Sequence, residues 1–233
     1  MIYLLKNRSE DSEFGLQDEY DACLDCIFVS VMVYECINIQ QLIQQVNSYD
    51  SIIVTSQRAV DALKYILPQV KVLDKPVYTV GPATARRLKT IGFTKVYGEE
   101  SGNGKELAKY MNSTIEKPTS FLFLAGEVHR KLLPDELIKH GHKVYTQIVY
   151  KTVPTVLDNY FSTHLLNNDW VVFFSPGYSD KVLKELRVLE QQGIKARIAA
   201  IGPTTAEYLE SQGFKVDAVA TSPSAQGLKA VLN

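Results

Sequence analysis

Residues 80–96 read VGPATARRLKTIGFTKV and residues 201–216 read IGPTTAEYLESQGFKV. Each begins at the end of an apolar run, turns through Gly-Pro-x-Thr and enters a helical pattern. The chemistry available at such a corner is anion binding. The first N–H groups of a helix have no internal acceptor and carry partial positive charge, so they hold a carboxylate or phosphate without a lysine. Glycine lets a ligand approach the backbone, and proline in the first helical turn gives up no donor that the helix needs. A Ser or Thr there either caps the helix or donates to an oxyanion.

The chain writes further corners of this kind. Thr55-Ser56-Gln57-Arg58, Gly81-Pro82-Ala83-Thr84, Ser175-Pro176-Gly177-Tyr178 and Gly202-Pro203-Thr204-Thr205 each follow an apolar run. Ser101-Gly102-Asn103-Gly104 and Thr221-Ser222-Pro223-Ser224 follow shorter ones. Facing each other across a cleft, such helix starts would grip a large ligand with several carboxylates or phosphates. Each corner taken singly also reads as a plain helix cap, and duplication alone would repeat caps.

Other chemistry finds little support. There is no G-x-x-x-x-G-K-[ST] and no G-x-G-x-x-G after a strand. Gly102-Asn103-Gly104-Lys105 imitates a phosphate loop, but Glu106 stands where Ser or Thr should hold magnesium. His129, His140, His142 and His164 lack the spacing of helical metal ligands. Cys23-Leu24-Asp25-Cys26 closes a helical pattern and enters an apolar run, which favours half-buried free thiols over a redox pair. The formal net charge of −1 supplies no global field for nucleic acid. The opening MIYLLKNRSED has too short an apolar run for an export signal, and no stretch is long enough to span a membrane. The expected compartment is the reducing cytoplasm.

Short runs rich in Val, Ile and Phe must position these corners. The expected strands are Ile2–Leu5, Ile27–Val33, Ile52–Thr55, Val77–Val80, Phe121–Leu124, Val144–Tyr150, Val171–Phe174, Ile198–Ile201 and Val216–Val219. Helical patterns lie between most of them, as in Lys181–Leu189 and Ala206–Gln212. Unbroken apolar strands alternating with helices imply parallel sheets covered on both faces. The chain is also written twice. Gly81 corresponds to Gly202 and Ser56 to Ser175, and MIYLLKNRSED resembles SFLFLAGEVHR at 120–130. Two similar α/β domains with short connections follow.

TSQRAVDAL, YTVGPATARRL, LFLAGEVHRKLLPDEL, IVYKTVP, VVFFSPG, AAIGPTTAEYLESQGF and TSPSAQGL, taken in order, resemble the uroporphyrinogen-III synthase family over essentially the whole chain. The resemblance implies two flavodoxin-like parallel-sheet domains joined by a two-stranded antiparallel linker. One domain would comprise 1–34 plus 154–233 and the other 40–147, with 35–39 and 148–153 as linkers and a hinge between the domains. It implies the conversion of hydroxymethylbilane, a linear tetrapyrrole rich in carboxylates, to uroporphyrinogen III. Loss of the terminal hydroxyl gives an azafulvene, the last pyrrole attacks through its substituted carbon, and a spiro intermediate opens and re-closes with that ring inverted. No cofactor or metal is implied. The expected partners are the substrate alone and, transiently, the deaminase that supplies it; a monomer is expected.

Carried onto this chain, the resemblance makes Tyr150 in IVYKT the proton donor. Ser56, Thr84, Ser175, Thr204 and Thr205 would line the cleft. Arg58 would pair with a carboxylate, and Gly81, Ser101, Gly177, Gly202 and Ser222 would complete the corners. SPGYSD departs from the family pattern by placing Tyr178 where glycine is usual, which weakens amide donation there. The alternative is a two-domain binding module for a polyanionic small molecule without catalysis.

Overall fold

A computed structural model describes residues 1–8, 18–157 and 159–232. Ser9, Glu10 and Asp11 of the repeated opening MIYLLKNRSED lie outside the described residues. The chain divides into two units, Met1–Val33 with Val153–Asn233, and Tyr34–Thr152. Elements are numbered along the chain.

The strands of the first sheet are β1 (Ile2–Leu5), β2 (Cys26–Phe28), β9 (Trp170–Phe173), β10 (Arg197–Ala200) and β11 (Ala218–Val219). They lie in the order β11-β10-β9-β1-β2, every neighbouring pair parallel. Side chains alternate across the sheet, as the strand period of two dictates. Tyr3, Leu5, Val171 and Phe173 enter one core with Val182, Leu186 and Leu209. Leu4, Trp170 and Val172 enter the other with Tyr20, Ala225 and Leu228. The covering helices are α1 (Glu19–Cys23), α7 (Asn159–His164), α8 (Asp180–Gln191), α9 (Pro203–Ser211) and α10 (Ala225–Lys229).

The second sheet contains β3 (Met32–Cys36), β4 (Ser51–Val54), β5 (Val77–Thr79), β6 (Val96–Tyr97), β7 (Ser120–Gly126) and β8 (Lys143–Pro154). Their order is β3-β8-β7-β4-β5-β6, with β4 parallel to β5 and β7, β5 to β6, and β7 to β8. Its helices are α2 (Ile39–Gln45), α3 (Gln57–Ile66), α4 (Pro82–Thr90), α5 (Gly104–Thr114) and α6 (Leu132–Lys139). Ile52 and Val54 pack with Leu63 and Leu88 on one face, while Ile53 meets Leu107, Met111 and Leu137 on the other.

Several expectations need correction. The run Ile27–Val33 is two strands, β2 and β3, placed in different sheets. The break falls at Ser30, whose exposed Oγ donates to Asn7 Oδ1 at 2.6 Å. The short strand β6 was not expected; two residues leave no readable period. The two sheets also differ in topology. Numbered within its own unit, the first runs 2-1-3-4-5, and the second runs 3-2-1-4-5 with β3 added at the edge. The units are related by element type and not by one strand order. Each nevertheless has a switch point beside its first inner strand, at β1/β9 and at β4/β7, which is where ligands bind in open α/β sheets.

The segments expected as linker strands lie mostly within β3, α2 and β8. Glu35 and Cys36 end β3, Ile39 opens α2, and residues 148–153 belong to β8. Ile37 N–H donates to the Val149 carbonyl at 2.9 Å and Thr155 N–H to the Val31 carbonyl at 3.2 Å.

Candidate functional site

The switch point of the second sheet opens into a cavity of about 520 Å³. This falls in the range of small-molecule sites. Thr55 and Ser56 arrive from the end of β4, Phe123 to Gly126 from β7, Gly102 to Lys105 from the start of α5, and Tyr150 from β8. Strand ends therefore deliver the polar groups, while buried apolar residues hold the strands beneath them.

Ser56 caps α3, its Oγ accepting from Arg58 N–H at 3.2 Å. The same Oγ accepts the hydroxyl of Tyr150 at 3.2 Å. Tyr150 reaches this place because β7 and β8 slip register: Ala125 pairs with Ile148 but Gly126 with Tyr150. A bulge of this kind re-aims a side chain. The tyrosine ring then lies over Gly126, where a Cβ would stand 2.5 Å from Cζ and 2.7 Å from Oη. Only glycine admits the ring. Tyr34 meets Tyr150 edge-on with centroids 6.2 Å apart, and the Arg58 guanidinium stacks 3.9 Å above Tyr34. Arg58 is thus turned onto an aromatic face, a contact for which its planar cation is suited.

The repeated Gly-Pro corners differ from the helix starts that a side chain caps. Asn103 caps α5 by accepting from Lys105 and Glu106 N–H at 3.0 and 3.1 Å, and Ser224 caps α10 through Gly227 N–H at 3.1 Å. Gly81 and Gly202 offer α4 and α9 no side-chain cap. The first helical bonds are Ala85 N–H to Gly81 O and Ala206 N–H to Gly202 O. The N–H groups of Ala83, Thr84, Thr204 and Thr205 precede them and have no acceptor within their helix. Gly81 has φ 81°, a left-handed value that favours glycine, and a Cβ at either glycine would meet nothing within 4 Å. Thr204 is exposed, whereas Thr84 and Thr205 are buried.

Some corners are built differently from the expectation. Ser175 does not start a helix. Tyr178 takes a left-handed φ of 63°, Gly177 and Tyr178 form a turn, and α8 begins only at Asp180. Ser175 Oγ reaches the Gly177 carbonyl at 3.4 Å, and buried Ser179 donates to the Ser175 carbonyl at 2.9 Å. Ser101 closes a short 3-10 turn by donating to the Gly98 carbonyl, and Asn103 takes the capping role. Exposed Ser222 shares a 2.8 Å hydrogen bond with Ser224. In the C-x-x-C pair, Cys26 is half-buried, and burial pushes its thiol up to about 11, so it stays protonated and unreactive.

Sequence reasoning missed Gly126, His129, Lys105 and Arg130, which all line the cavity of the second unit. Gly126 carries no chemistry of its own, and the cationic residues sit in helical or loop patterns that read as solvated surface.

Parallel strands that bring a serine, a tyrosine, cations and first-turn amides to their carboxyl ends define an α/β protein suited to a small anionic molecule. The family described as "Uroporphyrinogen-III synthase HemD" matches residues 24–230. A Saccharomyces cerevisiae uroporphyrinogen-III synthase is 34% identical over 207 residues, covering 78% of this chain and 74% of the relative. One from Schizosaccharomyces pombe is 28% identical over 97% of this chain and 93% of the relative. The solved uroporphyrinogen-III synthetase of Helicobacter pylori 26695 superposes with a TM-score of 0.62 at 20% identity, covering 99% of this chain and 97% of that one, a likeness of fold. This chain belongs to the uroporphyrinogen-III synthase family, cyclising hydro-lyases of haem biosynthesis.

Proposed function

We propose that the chain cyclises hydroxymethylbilane to uroporphyrinogen III through the strand-end cavity of the second unit, with Tyr150 as proton donor to the departing hydroxyl. The observation that carries this reading is the Tyr150 Oη–Ser56 Oγ hydrogen bond of 3.2 Å inside that cavity. It holds a phenol hydroxyl where a substrate oxygen can enter.

In the second unit the first-turn amides of α4, Lys105 and Arg130 take carboxylates, with Ser101 as an outer polar contact; in the first unit the candidate carboxylate contacts are the first-turn amides of α9, Ser175, Gly177 and Ser222. The first unit has the flavodoxin-like order 2-1-3-4-5, whereas the second runs 3-2-1-4-5; each carries its candidate ligand groups at the carboxyl end of a parallel sheet. The bilane closes without inversion when unassisted, so the protein acts chiefly by holding the end rings in the spiro geometry, which is catalysis by positioning. Free cysteines suit a reducing cytoplasm.

The test supplies hydroxymethylbilane from a coupled deaminase, oxidises the products and separates the isomers. With the protein, type III dominates; without it, type I dominates. An unchanged mixture would leave a binding module without catalysis. In the same assay Tyr150→Phe slows turnover, by about 100-fold for a lost general acid, while the melting temperature holds. Wild-type turnover would remove Tyr150 from the chemistry.

A further inference from the structure

The reaction needs two proton sites. Departure of the hydroxyl consumes a proton. Restoring aromaticity to the inverted ring releases one from its ring carbon. Tyr150 accounts for the first, and the cavity holds a group suited to the second.

His129 follows β7 and lines the same cavity, half-buried. Its Nδ1 lies 2.9 Å from the Gly126 carbonyl oxygen, and its ring meets Phe123 edge-on at 6.2 Å. A carbonyl only accepts, so Nδ1 carries the hydrogen, and in the neutral ring the lone pair is then on Nε2. One residue ties the two groups together. The carbonyl of Gly126 fixes the imidazole, while the missing Cβ of Gly126 makes room for the Tyr150 ring. The other charged groups on the cavity wall are Lys105, from α5, and Arg130, beside His129.

We infer that His129 Nε2 is the proton acceptor of the cyclisation. This rests on the reading that Tyr150 is the donor. In the first half-reaction the C–O bond breaks, its electron pair leaves on oxygen, and the Tyr150 proton completes a water molecule. The phenolate remains. After the spiro intermediate opens and the terminal ring re-closes through its free carbon, the C–H bond at that carbon breaks. Its electron pair returns to the ring and the proton passes to His129 Nε2. Return of that proton to the phenolate resets both residues. The hydroxyl and the ring hydrogen leave as one water, and no co-reactant is consumed.

His129→Gln tests this in the full-length protein, because the amide keeps a donor for the Gly126 carbonyl and lacks a basic nitrogen. The expected result is a fall in kcat of about 100-fold, with KM unchanged and the type III isomer still formed. A kcat close to wild type, or a loss carried by KM alone, overturns the assignment. Tyr150→Phe measured beside it separates the two readings. A slow Tyr150→Phe with a wild-type His129→Gln sinks only the histidine. A wild-type Tyr150→Phe with a slow His129→Gln sinks only the tyrosine.

Discussion

Gly126→Ala adds one methyl group and should disable the site through its neighbour. The new Cβ would lie 2.5 Å from Tyr150 Cζ and 2.7 Å from its Oη. Carbon atoms in contact prefer roughly 3.5–4.0 Å, so the ring must retreat by about 1 Å. Retreat breaks the hydrogen bond to Ser56, and misplacement on that scale costs about 100-fold in rate. Overpacking of this kind destabilises by about 1–3 kcal/mol. For a chain of this length each kcal/mol lowers the melting temperature by about 2–4 °C, so a mid-range penalty gives a drop of about 4–8 °C. The assay pairs a thermal melt with turnover in the coupled isomer assay. The decisive control is the background Tyr150→Leu, which removes the ring. There, Gly126→Ala should destabilise by less than about 0.5 kcal/mol, a non-additivity expected only of residues in contact. A Gly126→Ala protein with wild-type melting and turnover would refute the contact and, with it, the placement of Tyr150.

Asn103→Ala removes the acceptor for two N–H groups of α5 and should destabilise by about 1 kcal/mol; Asn103→Asp, which keeps the acceptor, should retain stability in urea titrations. Gly227→Ala would place a Cβ 2.2 Å from the Ser222 carbonyl oxygen, a backbone atom that cannot swing aside as a side chain can. It should destabilise by at least about 1–3 kcal/mol, read as a lower denaturation midpoint. Burial, with a smaller contribution from His140, holds His142 below its ordinary value of 6.5, and its Nδ1 accepts from Thr119 N–H at 3.2 Å. The unfolded chain therefore takes up the proton first, and stability falls as pH drops through 6.5 toward the lower folded value. Melting curves between neutral and mildly acid pH should show this fall, and His142→Asn should flatten it.

Much of the architecture could be read from residue order because its causes are local. Unbroken runs such as SIIV and WVVF, set between helical patterns, fit strands covered on both faces, and both are inner strands of parallel sheets. Gly-Pro before a helical pattern fixes a helix start within a few residues, as at α4 and α9. Tyr150 came forward as a candidate only through resemblance, since one tyrosine in a strand carries no pattern of its own.

What tertiary structure alone decided involves residues far apart in the chain. The run Ile27–Val33 divides between two sheets because different partner strands compete for its halves. The helix after Ser175 is delayed because Tyr178 adopts a left-handed turn that its residue type disfavours. Gly126 matters only because β8 slips register and brings in a ring from position 150. His129 gains its tautomer from a carbonyl three residues back, and its meaning from the cavity that β4, β7 and α5 close around it. Local propensity writes strands, caps and turns. Which side chains then share a cavity is set by sheet order and register, and these are fixed by burial across the whole unit.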